Sequence, residues 1–116
     1  MYTWKHPELS NLECLKIENM LKLSDFNIEM ITDEYTHEGL LIEHGSFLSK
    51  HCGMSAQKQL ESRGCPGISS HTHRLGIYRK RDASGLRFWI ENGCLCSLKP
   101  EYCAYPNWQQ GFTWTE

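Results

Sequence analysis

Histidines carry the sharpest chemistry in this sequence. His71-Thr-His73 follows a glycine-containing break and a short apolar run. In extended backbone, side chains at i and i+2 point to the same side, so two imidazoles there can reach one metal centre or two adjacent ones. Neutral imidazole suits Zn, Fe, Mn and related divalent ions. The same spacing also fits a pair of surface histidines on a strand. The apolar run Gly39-Leu-Leu-Ile leads into Glu43-His44-Gly45. A side chain at the end of a buried strand is rigidly placed, which suits a site. Taken alone, His44 also fits a half-buried structural histidine. His51 lies in the following loop and faces either that site or solvent. Arg74 follows His73 and is read as a surface residue, with phosphate binding as the alternative. His6 and His37 read as surface residues.

Sulfur is the other candidate donor. Six cysteines stand at 14, 52, 65, 94, 96 and 103. Cys94-x-Cys96 with Cys103 can be read as part of a zinc knuckle, but Cys-x-x-Cys pairs are absent, and such pairs are the usual signature. Reduced, mostly buried thiols are the favoured reading. A disulfide framework needs a secretory context. The start Met1-Tyr-Thr-Trp-Lys-His-Pro lacks a basic segment leading into an apolar one, so the expected location is cytoplasmic.

These side chains need elements to hold them. Residues 7–23 are expected to form a helix, with Pro7 in its first turn and leucines near helical period. Residues 26–31 alternate as a short strand, and 35–43 read as a second strand that delivers His44. Residues 45–53 are expected as loop and 55–63 as a helix with Ser55 as a possible cap. Gly64-Cys-Pro-Gly67 is a firm break before a very short strand, 68–70. Residues 75–80 and 86–91 predict a hairpin around Asp82-Ala-Ser-Gly85. Residues 95–108 are expected to be irregular and 110–115 to start another strand. Together these predict one α+β domain over 1–116, a mixed sheet with flanking helices.

Composition narrows the function classes. The 116 residues carry a net charge of −2 with histidines neutral, which excludes a strong global pull toward nucleic acid or anionic membrane. Apolar runs stay well short of a spanning helix. Arg79-Lys80-Arg81, placed at the hairpin tip, can touch nucleic-acid phosphates or simply be solvated. Phe88, Trp89, Trp108, Phe112 and Trp114 are expected in core and interface.

The order of these features resembles a known family. A strand, His44-Gly45, a helical connection, a short strand and His71-x-His73 with Arg74 are similar to the last two motifs of the calcineurin-like metallophosphoesterases. Gly53-Met-Ser-Ala-Gln, Ser70-His-Thr-His-Arg-Leu-Gly, Glu91-Asn-Gly-Cys-Leu-Cys and Pro106-Asn-Trp-Gln-Gln-Gly-Phe resemble a phage and bacterial branch of that family. The run Lys5-His-Pro-Glu-Leu resembles the helix before the penultimate motif. The family's earlier motifs, Asp-x-His, Gly-Asp-x-x-Asp and Gly-Asn-His, have no counterpart here, and Ser70 stands where glycine is usual.

The resemblance therefore implies the C-terminal half of a four-layer α/β/β/α sandwich. It implies phosphoester hydrolysis, of a monoester or diester, with two divalent metal ions. It places His44 and His71 on the second ion and His73 on the first, with His51 and Arg74 as weaker substrate-binding candidates and the catalytic residues unassigned. A partner chain or self-association is then expected to complete the domain, and an exposed apolar face is expected where the missing half belongs. Two other readings stay open: a catalytically inactive fragment, and a nucleic-acid-binding module using Arg79-Lys80-Arg81.

Overall fold

A computed structural model of the chain describes residues 12–116. The chain divides into two compact units, Met1–Thr32 and Asp33–Glu116, where the sequence reads as one undivided domain. In the first unit the expected 7–23 helix falls partly outside the described residues. Its described part is broken into a 3-10 turn at Glu13–Leu15, a short helix α1 at Ile17–Met20 and a second 3-10 turn at Leu23–Phe26. Lys22 and Asn27 adopt left-handed backbone at φ 51° and 54°, which halts helical propagation. The expected strand at 26–31 is absent, because its first residue closes the 3-10 turn and no partner strand pairs with it.

The second unit is built on one five-stranded sheet. β1 (Tyr35–His37) and β2 (Leu40–Glu43) are antiparallel. The single strand expected over 35–43 is thus a hairpin. Glu38 at φ 49° and Gly39 at φ 81° make consecutive left-handed residues, the geometry of a two-residue turn that matches strand twist. The surrounding apolar alternation masked that turn. α2 (Met54–Arg63) then crosses to β3 (Gly67–Ser69), which lies parallel to β2. β4 (Leu75–Asp82) and β5 (Gly85–Asn92) form the expected hairpin about Ala83-Ser84, and β5 lies parallel to β3. The sheet order is β1-β2-β3-β5-β4, a mixed sheet in an α+β fold. Residues 110–115 do not form the expected strand; Gln110 alone bridges to Cys94.

Helix α2 covers one face of the sheet. Ser55, Ala56, Gln59 and Leu60 recur at helical spacing and are buried. Ala56 and Leu60 meet Leu41 and Trp89, with Tyr78 packed alongside. Gly53 precedes the first turn, so Ser55 does not cap the helix; it is buried toward the sheet. Trp89 is fully buried, and its indole N–H donates to Ser69 Oγ at 3.0 Å. The ring lies so close to Gly67 that a Cβ there would stand 2.4 Å from Trp89 Cζ3, which is why glycine occupies the start of β3.

The opposite face carries a row set by register. Tyr35 pairs with Ile42, Ile42 with Ile68, Ile68 with Ile90 and Ile90 with Ile77. Directly paired residues share a face, so this apolar row crosses the whole sheet. Its centre, Ile68, is 7% exposed, while Tyr35, Ile42 and Ile77 are 46%, 39% and 44% exposed. Phe112 and Trp114, expected in core or interface, are exposed as well.

The basic cluster is not at the hairpin tip. Arg79, Lys80 and Arg81 lie within β4, opposite Phe88, Arg87 and Leu86. Strand alternation sends Lys80 to the face opposite its two neighbours, so the cluster does not form one patch.

Candidate functional site

The parallel register of β2 and β3 brings two histidines together. Glu43, the last residue of β2, pairs with Ser69, the last of β3. The chain leaves both strands at one level, on the carboxyl edge where parallel sheets commonly build their sites. The His44 carbonyl then accepts hydrogen bonds from Ser70 N at 3.2 Å and His71 N at 2.9 Å. That clamp lays His71 beside His44. Their rings meet edge to face, with His71 Nδ1 2.9 Å from His44 Nε2. One nitrogen donates and the other accepts, so at least one ring is neutral.

His71 and His73 do not lie on extended backbone. Residues 71–72 form a turn, closed by a hydrogen bond from His73 N to the Ser70 carbonyl at 3.1 Å, and His73 is left-handed at φ 55°. The extended backbone expected for His-x-His is therefore replaced by a turn. Ser70 itself has ordinary negative-φ backbone, so a side chain in place of glycine is no strain there.

His73 faces a second cluster. Its ring packs edge-on against Trp108, with centroids 4.5 Å apart. One of its ring nitrogens and the thiol sulfurs of Cys94 and Cys96 lie within 4.8 Å of one another, and among the described residues this is the one group of three potential metal donors so close. His73 Nδ1 is buried and has no hydrogen-bond partner. Burial pushes the Cys94 thiol up, and the neighbouring Cys96 thiol adds to the shift. Cys103, the third residue of the suggested zinc knuckle, stays outside this group and His73 takes its place.

The frame around that cluster is stitched by backbone. Gly93 N donates to the Arg74 carbonyl at 2.8 Å, and Gln109 N to the His73 carbonyl at 2.9 Å. Cys94 N donates to the Gln109 carbonyl at 3.1 Å, and Gly111 N to the Cys94 carbonyl at 3.1 Å. His44, Ser70, His73, Asn92 and Cys94 line one groove of about 330 Å³, so one member of the first histidine pair and two donors of the second cluster share it.

Two buried residues hold the loops in place, and the sequence alone did not single out Glu91. The Glu91 carboxylate is fully buried and accepts from Thr72 Oγ1 at 2.8 Å and from the Gly53 amide. It thereby ties the His71–His73 turn to the start of α2. Arg74 is 8% exposed, not at the surface, and its guanidinium donates to the carbonyls of Ser49 and Lys50 at 2.5 and 3.0 Å. It anchors the loop after His44, so its donors are directed at backbone. His51 is exposed on that loop and is not among the groove residues.

Acidic residues share a second groove with His44. Asp33, Glu34, Glu43 and Arg63 line a neighbouring groove with it. Glu43 is engaged by Arg63 and by Gln59 Nε2 at 2.6 Å, and the hydrogen bond and charge of Glu43 hold the Arg63 guanidinium more firmly protonated than usual. No helix of the described residues is long and apolar enough to cross a membrane. No family model, curated protein or solved structure matches the chain.

Proposed function

We propose that the chain contributes His44, His71 and His73 to a metal-dependent phosphoesterase centre whose carboxylate ligands come from outside it. The observation that carries this reading is the meeting of His44 and His71 at 2.9 Å on the carboxyl edge of two parallel strands. Tetrahedral ligands about 2.05 Å from one ion stand roughly 3.3 Å apart, so a small ring rotation turns this pair from a mutual hydrogen bond to shared coordination. His73 opens onto the same groove from a separate cluster, which suits one ion held by His44 and His71 and another near His73. Divalent ions such as Mn, Fe or Zn supply polarisation of phosphoryl oxygens and a nucleophilic hydroxide. In the groove, the Ser70 hydroxyl and Asn92 amide are available to orient an anionic substrate.

The half-exposed isoleucine row fits a complementing chain, or a second copy, that completes the domain over this face. A catalytically inactive fragment is the second reading. It is favoured by the lack of any acidic side chain grouped with His44 and His71 among the described residues. A nucleic-acid-binding module draws little support, because the basic cluster is divided between two faces. A cytoplasmic location fits the six free thiols, which suit a reducing compartment.

The test combines binding and turnover. Mn²⁺ titration followed by imidazole resonances is expected to broaden His44 and His71 in the chain, and to lose that effect in His71→Ala. Absence of broadening removes the metal assignment. Hydrolysis of bis-p-nitrophenyl phosphate by the folded chain alone is expected to stay at the His71→Ala background. Chelator-sensitive turnover above that background overturns the claim that carboxylates must come from outside.

A further inference from the structure

We propose that His73, Cys94 and Cys96 form a thiolate–imidazole site for a soft divalent cation, with Zn²⁺ the natural occupant. Three independent observations converge on it. The donor atoms already lie within 4.8 Å of one another. Tetrahedral coordination with Zn–S of about 2.3 Å and Zn–N of about 2.05 Å spaces ligands roughly 3.5–3.8 Å apart, so closure needs shifts of no more than about 1 Å. His73 Nδ1 is buried without a partner, an orphan that a cation would satisfy directly or by ring flip. The four backbone hydrogen bonds joining segments 73–74, 93–94 and 109–111 fix the donors in place before any ion arrives.

Softness selects the ion. Two thiolates and one imidazole favour Zn²⁺ over Mg²⁺ or Ca²⁺, which prefer oxygen. Binding releases the two thiol protons to solvent, so the occupied site is neutral and its affinity rises with pH. Three protein ligands leave a fourth position, and the groove shared with His44 and Ser70 opens beside it. This is the open geometry of a site that accepts water or a substrate oxygen. The inference goes beyond the hydrolytic reading. The two share His73, yet sulfur ligation here holds or fails without any reference to turnover.

Co²⁺ titration of the reduced chain tests it, because thiolate ligation to Co²⁺ gives a near-ultraviolet charge-transfer absorption that imidazole ligation does not. The expected result is one Co²⁺ bound with that absorption and displaced by Zn²⁺. Cys94→Ser and Cys96→Ser should each weaken binding by about 100-fold or more, beyond the 10–100-fold typical of losing an outer-shell partner. His71→Ala should retain the sulfur absorption while losing Mn²⁺ broadening, which separates this inference from the hydrolytic one. Co²⁺ bound without the sulfur absorption, or absorption that survives both serine variants, overturns the proposal. Alkylation of the unaltered chain provides a measure that needs no variant. Zn²⁺ should protect Cys94 and Cys96 from iodoacetamide and leave the exposed Cys14 reactive; equal labelling with and without Zn²⁺ also overturns it.

Discussion

One face of the sheet is closed by α2 over Trp89, Leu41, Ala56 and Leu60. The other presents Tyr35, Ile42, Ile68, Ile90 and Ile77 in register, and its outer members are two-fifths exposed or more. The same strands supply both faces. The covered face mixes apolar packing with buried polar groups, Gln59, Ser69 and Glu91 among them. The open face is almost purely aliphatic along its central row. Stability in this unit should therefore be concentrated on the helix side, while the open side carries apolar surface whose burial is still to be gained.

Trp89→Ala gives the largest expected effect. It empties the space between α2 and Gly67 and leaves the Ser69 hydroxyl without its indole donor. A loss of about 3–5 kcal/mol is expected, read from urea midpoints at constant slope. For a unit this small, that is most of the available stability. A loss under about 1 kcal/mol would mean that the helix-covered face is not the principal core.

The sequence made the strand-end position of His44 legible, because the apolar run Gly39-Leu-Leu-Ile leading into Glu43-His44-Gly45 is hard to place elsewhere. The α2 helix and the β4–β5 hairpin were legible for similar reasons: both are bounded by glycine or turn residues. The pairing of His73 with Cys94 was latent in that hairpin. Its register pairs Leu75 with Asn92, and two residues further out this sets His73 opposite Cys94. What hid it was the local reading of His-x-His as extended backbone. The left-handed His73 closes a local turn onto Ser70 and its carbonyl is held by the distant Gln109 amide, an arrangement that sequence spacing does not encode. The 7–23 helix failed in its described part for a related reason. Apolar periodicity names a face, but a helix also needs something to cover that face, and Ile17, Met20 and Leu21 are 53%, 64% and 60% exposed.

Glu91 probes the polar part of the covered face. Glu91→Ala strands the Thr72 hydroxyl and the Gly53 amide, both of which it accepts from. A cost of about 2 kcal/mol or more is expected, since each buried unsatisfied group costs roughly 1–3 kcal/mol. Glu91→Gln should cost about 1 kcal/mol, because an amide oxygen can still accept from Gly53 while its NH₂ donates to the Thr72 hydroxyl. The Gln variant should also preserve any Mn²⁺ broadening of His71, whereas the Ala variant should weaken it by loosening the turn. Equal effects of the two variants would show that the carboxylate's charge matters more than the hydrogen-bond geometry.

Ile77, on the open face, yields the smallest expected effect and, set beside Ile68, the sharpest comparison. Ile68 and Ile77 flank Ile90 in one row, yet Ile68 is 7% exposed and Ile77 44%. Truncating Ile68 to alanine should cost about 2–4 kcal/mol, as for a buried aliphatic residue. Truncating Ile77 should cost below about 1 kcal/mol in the isolated chain, because much of its side chain remains in water on folding. The difference holds only while nothing covers the row. If Ile77→Ala becomes costly as protein concentration rises, folding is linked to association over this face, and the apparent stability of the unaltered chain should rise with concentration too. A small, concentration-independent cost would mean that copies of the chain do not cover the row, and the search for what does should turn to a different chain.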